Sequence, residues 1–225
     1  MPTSLILIKS DGFYRIPLFE EFNARAVFTT REKDPDFHKM GISGSKLVQP
    51  AQVHEDSVFC ACKAGAAGEV DALITNYRHL PLAIRTADCL PVFLFDTSHR
   101  AIAMIHAGWK GVRKNIILKT IKQMKIKFST VPSDLIAALG PAIRPCCYEV
   151  GDEFRWYFGG FVLPRGNKLY FDIVSAAVNE LLGAGVKNGH ICDSAICTSC
   201  RNDEFFSFRR EGLMAGRSLS VMEIL

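Results

Sequence analysis

The chain has 225 residues, 48% of them hydrophobic, and carries a formal net charge of +4 from 27 Lys and Arg against 23 Asp and Glu. That content excludes a disordered or low-complexity chain and predicts one large domain over residues 1–225 with a sizeable core. The cations are dispersed, and their one local excess, Lys110 to Lys127, reads as a basic helix face, since no nucleic-acid-binding motif accompanies it.

From Met1 to Phe13 the only apolar run is Leu5 to Ile8, which reads as part of a first strand and not as a signal peptide. No apolar run approaches the ~20 residues of a membrane span. Eight cysteines without an export signal are expected to be reduced, in a cytoplasmic protein. Pro81–Thr86, Leu90–Phe95 and Ala101–Ile105 are strand-length apolar runs separated by turn residues. After His106 a glycine loop leads into Val112, Ile116, Ile117, Ile121 and Met124, whose spacing predicts an amphipathic helix. A strand over Leu135–Leu139 precedes a Gly- and Pro-rich loop, and Asp172 is a natural N-cap for a helix running through Leu182, stopped by Gly183 and Gly185. Glu204–Arg210 and Arg217–Ile224 alternate like a terminal hairpin. Together these elements predict an α+β domain with mixed β-sheets flanked by helices.

Three motifs carry the chemistry: Gln52-Val53-His54, Ala87-Asp88-Cys89 and His106-Ala107-Gly108-Trp109. A lone Cys at a strand end is ordinarily packing and a lone His a satisfied polar residue. One thiol and two imidazoles beside turns, however, form a ligand set that zinc favours, with a fourth position open for water or substrate. The competing reading makes Cys89 a nucleophile with His54 or His106 as its base, which leaves the second histidine unused. Asp88 and Glu55 are the nearest carboxylates in sequence, supporting the ligands or simply solvated. Lys110, with Arg113 at the glycine loop entering a helix, is a candidate anion contact, an ordinary strand-to-helix glycine turn being the alternative; Arg31 is a second candidate, with a plain surface arginine as its alternative. Cys197-Thr198-Ser199-Cys200 has the spacing of half a zinc site or a redox pair, and packing thiols are the expectation unless Cys60-Ala61-Cys62 supplies the other half. Cys146 and Cys147 read as packing or pocket-lining residues.

In order along the chain, Gln52-Val53-His54, Asp71–Thr75, Ala87–Val92, Ile105–Gly111, Gly140–Gly151 and Phe205–Arg210 resemble the laccase-domain family, also called the multicopper polyphenol oxidase or purine nucleoside phosphorylase family. The resemblance implies a compact α+β fold related to toxin-type cysteine hydrolases. It also implies zinc held by His54, Cys89 and His106, the catalytic residues, and a phosphate contact at Arg31. The implied reaction is phosphorolysis of adenosine, inosine and methylthioadenosine to free base and ribose 1-phosphate, with adenosine deamination as a further activity. Purine nucleosides and phosphate are then the partners, without nucleic acid or membrane, for a monomer or homodimer. The chain departs from the family after Arg31, where Glu32-Lys33-Asp34 replaces a glycine-rich loop, and at Glu55, which replaces a glycine. The alternatives are a copper-dependent polyphenol oxidase and a Cys-His hydrolase. Copper ranks below zinc because the six histidines include no His-x-His pair.

Overall fold

The three apolar runs before His106 form the strands Leu82–Thr86, Leu90–Asp96 and Ile102–Ala107 in the computed structural model, which describes residues 2–32 and 34–225. Met1, the expected start of the first strand, lies outside them; the Leu5–Ile8 run is flanked by the short strands Thr3–Ser4 and Ile8–Ser10. Among the described residues the strands assemble into two seven-stranded sheets and one of three strands. In the first large sheet, Leu90–Asp96 is central and pairs antiparallel with Ile102–Ala107 and Leu135–Leu139, while Val58–Cys60 and Ile191–Asp193 add parallel pairings further out. In the second, Ser218–Ile224 runs antiparallel between Ala24–Thr29 and Leu82–Thr86. The mixed sheets and flanking helices are the α+β arrangement the sequence predicts.

Both faces of the first sheet are covered, which explains why its strands read as continuous apolar runs. Along Leu90–Asp96, Leu90, Val92 and Leu94 point to the helices Ile116–Phe128 and Ile173–Gly183, whereas Phe93 and Phe95 point into the layer between the two sheets. Leu82, Ile84, Phe28, Met222 and Ile224 answer them from the second sheet. That sheet's far face carries Val27, Ala83, Leu219 and Val221 under Met40 and Ile42.

The helix expected after His106 is broken in two, Trp109–Arg113 and Ile116–Phe128, by Asn115 with φ of 59°. Its predicted apolar positions are nonetheless all buried. Asp172 caps Ile173–Gly183 by accepting the Ser175 amide at 3.0 Å. The terminal hairpin does not form. Ser218–Ile224 is a central strand, and the segment expected to be its partner contains the short helix Phe208–Glu211, capped by Ser207. The alternation of buried and exposed residues there comes from Phe205 and Ser207 anchoring a turn: the Ser207 hydroxyl and the Arg209 amide both donate to Asp88, at 3.0 and 2.7 Å.

Candidate metal centre

The site forms where the chain passes from one large sheet to the other. Leu82–Thr86 lies in the second sheet and Leu90–Asp96 in the first, so Ala87-Asp88-Cys89 is the crossing, and Asp88 takes a φ of 87° to make it. The Asp88 carboxylate fixes this turn by accepting the Thr198 hydroxyl at 2.6 Å as well as the two Ser207–Arg209 contacts. The ladder between Leu90–Asp96 and Ile102–Ala107 pairs Leu90 with Ala107, which sets Cys89 beside the end of the strand that carries His106.

Asp71 completes the arrangement. It immediately precedes the strand Ala72–Thr75, which pairs with Ile102–Ala107, and its carbonyl accepts the His106 amide at 2.8 Å. Its fully buried carboxylate accepts the His106 Nδ1 proton at 2.7 Å and the amides of Val53, His54 and Glu55 at 3.2, 3.0 and 2.8 Å. One carboxylate therefore orients one imidazole and folds the loop that presents the other. His54 itself sits at φ of 61°, a left-handed conformation that the three amide bonds hold in place. Gln52 fastens the loop to the second sheet through paired 2.8 Å hydrogen bonds with the backbone of Arg85.

His54, Cys89 and His106 consequently converge, their ligand atoms all within 4.8 Å of one another and the two imidazole rings edge-on at 80°. With Nδ1 engaged by Asp71, His106 turns Nε2 to the Cys89 side, where a metal ion would take the place of its proton, the arrangement in which a carboxylate fixes the tautomer of a metal-ligating histidine. Burial alone would raise the Cys89 thiol; the positive charge of His106 and hydrogen bonds from both histidines overrule it and bring the thiol well below its ordinary range. Burial conversely disfavours a charged His106, but the Cys89 thiolate and Asp71 hold its proton. Cys89 is thus poised in the thiolate form that a metal binds. A Cβ added at Gly108 would lie 3.1 Å from Cys89 Sγ and 3.4 Å from His54 Cδ2, so the glycine keeps a space open against the triad. The donor set, its convergence and this space all fit a zinc-sized ion.

The triad opens into a cavity of about 820 Å³ lined by the aromatic side chains of Trp109, Tyr148, Phe154 and Phe208 and the cations Arg85, Arg209 and Arg217. The three-stranded sheet and the helix Glu153–Phe158 form one wall, where Phe154 packs between Trp109 and Phe171. Arg209 lies over the Tyr148 ring and donates to the carbonyls of Cys147 and Glu149. The Arg85 guanidinium has no hydrogen-bond or ion-pair partner among the described residues, and Arg85 lies exposed beside the triad.

The structure brings the three expected ligands together but leaves the expected anion contacts outside the cavity lining. Arg31 donates to the Asn202 carbonyl and to Glu211, and lies over the Phe206 ring. The Lys110 Nζ lies over the Trp109 ring, 5.8 Å from its centroid. The Glu55 carboxylate is paired with Lys114. Sequence reasoning gave no role to Asp71, quoted only within a motif, or to Arg85. Their signal was present: each is the one charge at or in an otherwise apolar strand.

A thiol and two imidazoles, one of them braced by a buried carboxylate, at the floor of an aromatic cavity between two sheets define an α+β protein with a candidate open metal centre. The chain belongs to the family described as multi-copper polyphenol oxidoreductase laccase, whose model matches residues 26–225. It is 38% identical over 198 residues, 80% of this chain and 73% of the relative, to a purine nucleoside phosphorylase of Bacteroides thetaiotaomicron. It is 32% identical over 201 residues, 81% of this chain and 76% of the relative, to adenosine deaminase RL5 of an unknown prokaryotic organism. The crystal structure of YlmD from Geobacillus stearothermophilus superposes with a TM-score of 0.89 at 27% identity, covering 99% of both chains.

Proposed function

We propose that this chain is a zinc-dependent purine nucleoside phosphorylase, converting adenosine, inosine or methylthioadenosine and phosphate to the free base and ribose 1-phosphate, with adenosine deamination as a second activity. The observation that carries it is the placement of the His54–Cys89–His106 triad at the floor of a cavity with aromatic walls and an unpartnered arginine. Relatives named for both activities support the same reading.

The chain's own residues divide the work. Trp109, Tyr148 and Phe154 offer flat apolar surface to a purine and exclude water from it. Arg85 gives a planar guanidinium for phosphate, and Arg209 and Arg217 add positive charge around it, steering and orienting an anion for attack on the ribose carbon. Asp71 holds the Nδ1 proton of His106 and so fixes which nitrogen faces the cavity. Zinc bound by the triad supplies a Lewis acid with one open position.

Purified, metal-replete protein incubated with adenosine and with inosine, with and without phosphate, is expected to release hypoxanthine or adenine only when phosphate is present, and inosine from adenosine without it. Absence of base, ribose phosphate and inosine together would defeat the reading. The Cys-His hydrolase reading retains one supporting observation, the Cys89–His106–Asp71 order, in which a base is oriented by a third group. It requires activity in metal-stripped protein that thiol alkylation abolishes.

A further inference from the structure

Four thiols outside the triad meet behind the cavity wall. Cys146 and Cys147 lie in the turn after Pro145, and Cys197 and Cys200 in the turn that follows Ile191–Asp193. All four Sγ atoms lie within 4.8 Å of one another, with Cys200 at 3.5 Å from Cys146 and 3.4 Å from Cys147. Cys60 and Cys62, the pair that sequence spacing offered as the missing half, belong to the opposite edge of the first sheet; Cys146 and Cys147 take that place.

We propose that Cys146, Cys147, Cys197 and Cys200 bind a zinc ion as four thiolates, a structural site distinct from the His54–Cys89–His106 centre. Tetrahedral zinc with Zn–S bonds near 2.3 Å sets its sulfurs about 3.8 Å apart, inside the range these four span. The set contains no imidazole or carboxylate and leaves no open position, which separates it from the triad in kind. The two turns are held together without the ion: Ala142 bridges Cys197 in parallel register, and Arg144 makes a two-pronged contact with Asp193 at 2.8 and 2.6 Å. Arg209 and Arg210 donate to the carbonyls of Cys147, Thr198 and Ser199, placing positive charge against a complex whose net charge is −2. A disulfide would use two of the four sulfurs, and Cys200 is near-equidistant from two partners; a single ion uses all four. Binding exchanges the thiol protons for Zn²⁺, with no change of oxidation state.

The position gives the ion a structural task. Thr198, between two of the ligands, donates to Asp88 beside Cys89, and the Cys147 carbonyl holds Arg209 at the cavity. The ion would tie both turns under that wall.

The test uses the full chain carrying His54→Ala and His106→Ala, purified with reductant and loaded with Zn²⁺ or Co²⁺. The expected result is one equivalent of metal per chain, an intense thiolate-to-cobalt charge-transfer band, and four thiols shielded from a disulfide reagent until a chelator is added. In the otherwise wild-type chain, Cys197→Ser with Cys200→Ser should lower bound zinc from two equivalents to one. If the triad binds nothing, wild type and the His variant hold the same single equivalent, so the two sites fail independently. Freely reactive thiols and no bound metal in the His variant would overturn the proposal, as would a Cys200 disulfide that persists under reductant.

Discussion

Asp71 is the residue on which the candidate centre turns, because its one carboxylate fixes a ligand's tautomer and folds another ligand's loop. Asp71→Asn removes the charge and sets an amide donor against backbone donors. The expected outcome is zinc affinity reduced about 10- to 100-fold with the fold retained, read by chelator competition; unchanged affinity would remove Asp71 from the centre. Gly108→Ala isolates crowding from conformation. Gly108 has φ of −75°, which any residue adopts, yet its Cβ would press on Cys89 and His54. Thermal stability near wild type with weakened metal binding is expected, and equal loss of both would contradict it. At this scale the convergence of the triad was legible because each ligand stands beside a turn, with small residues near Cys89 and after His106. Arg31 was left with two readings because a basic residue beside Phe and Thr carries no mark of whether it meets a ligand; in the structure it pairs with Glu211.

Among elements, strands buried on both faces were the easiest to read, since Leu90–Phe95 and Ile102–Ile105 are apolar without interruption. The break at Asn115 was harder, because the buried positions keep their helical spacing across it. Glu180 shows what holds the second piece in place. From the helix Ile173–Gly183 its Oε2 accepts the Ile117 and Leu118 amides at 3.2 and 3.3 Å, at the start of Ile116–Phe128, while its Oε1 is buried without a partner. Burial pushes its carboxyl up to about 7 against the opposing pull of those amides. A folded-state value above the unfolded one means that the neutral acid's stabilisation is complete below the ordinary carboxylate range and is lost as pH rises through about 7. Glu180→Gln, which keeps an acceptor and has no charge to bury, should therefore be the more stable protein at pH 8 by about 1–3 kcal/mol and nearly equal to wild type at pH 5. Denaturant midpoints at the two pH values check this, and the same gap at both would refute it.

The core of the molecule is two seven-stranded sheets joined by a shared apolar layer, and sequence patterning reveals which residues enter that layer but not which strands neighbour each other. Ser218–Ile224 illustrates the gap. Its Ser218 and Ser220 suggest a strand with one wet face and Glu223 a charge on the other, yet all seven residues are buried between Ala24–Thr29 and Leu82–Thr86. Glu223 satisfies the rule for buried charge by accepting from the amide and hydroxyl of Ser43. Pairing of the four distant thiols was invisible for a related reason, since about fifty residues separate the two turns and only the fold joins them. Removing residues 218–225 should leave no cooperative unfolding transition by circular dichroism, because it deletes the middle of a sheet; a truncated chain that still melts cooperatively would show the first sheet to be self-sufficient. The same strand imposes an order on biosynthesis. Until the ribosome has made residue 224, Ala24–Thr29 and Leu82–Thr86 each lack the strand that separates them, so the nascent chain carries unpaired edges open to edge-to-edge association for the greater part of its translation.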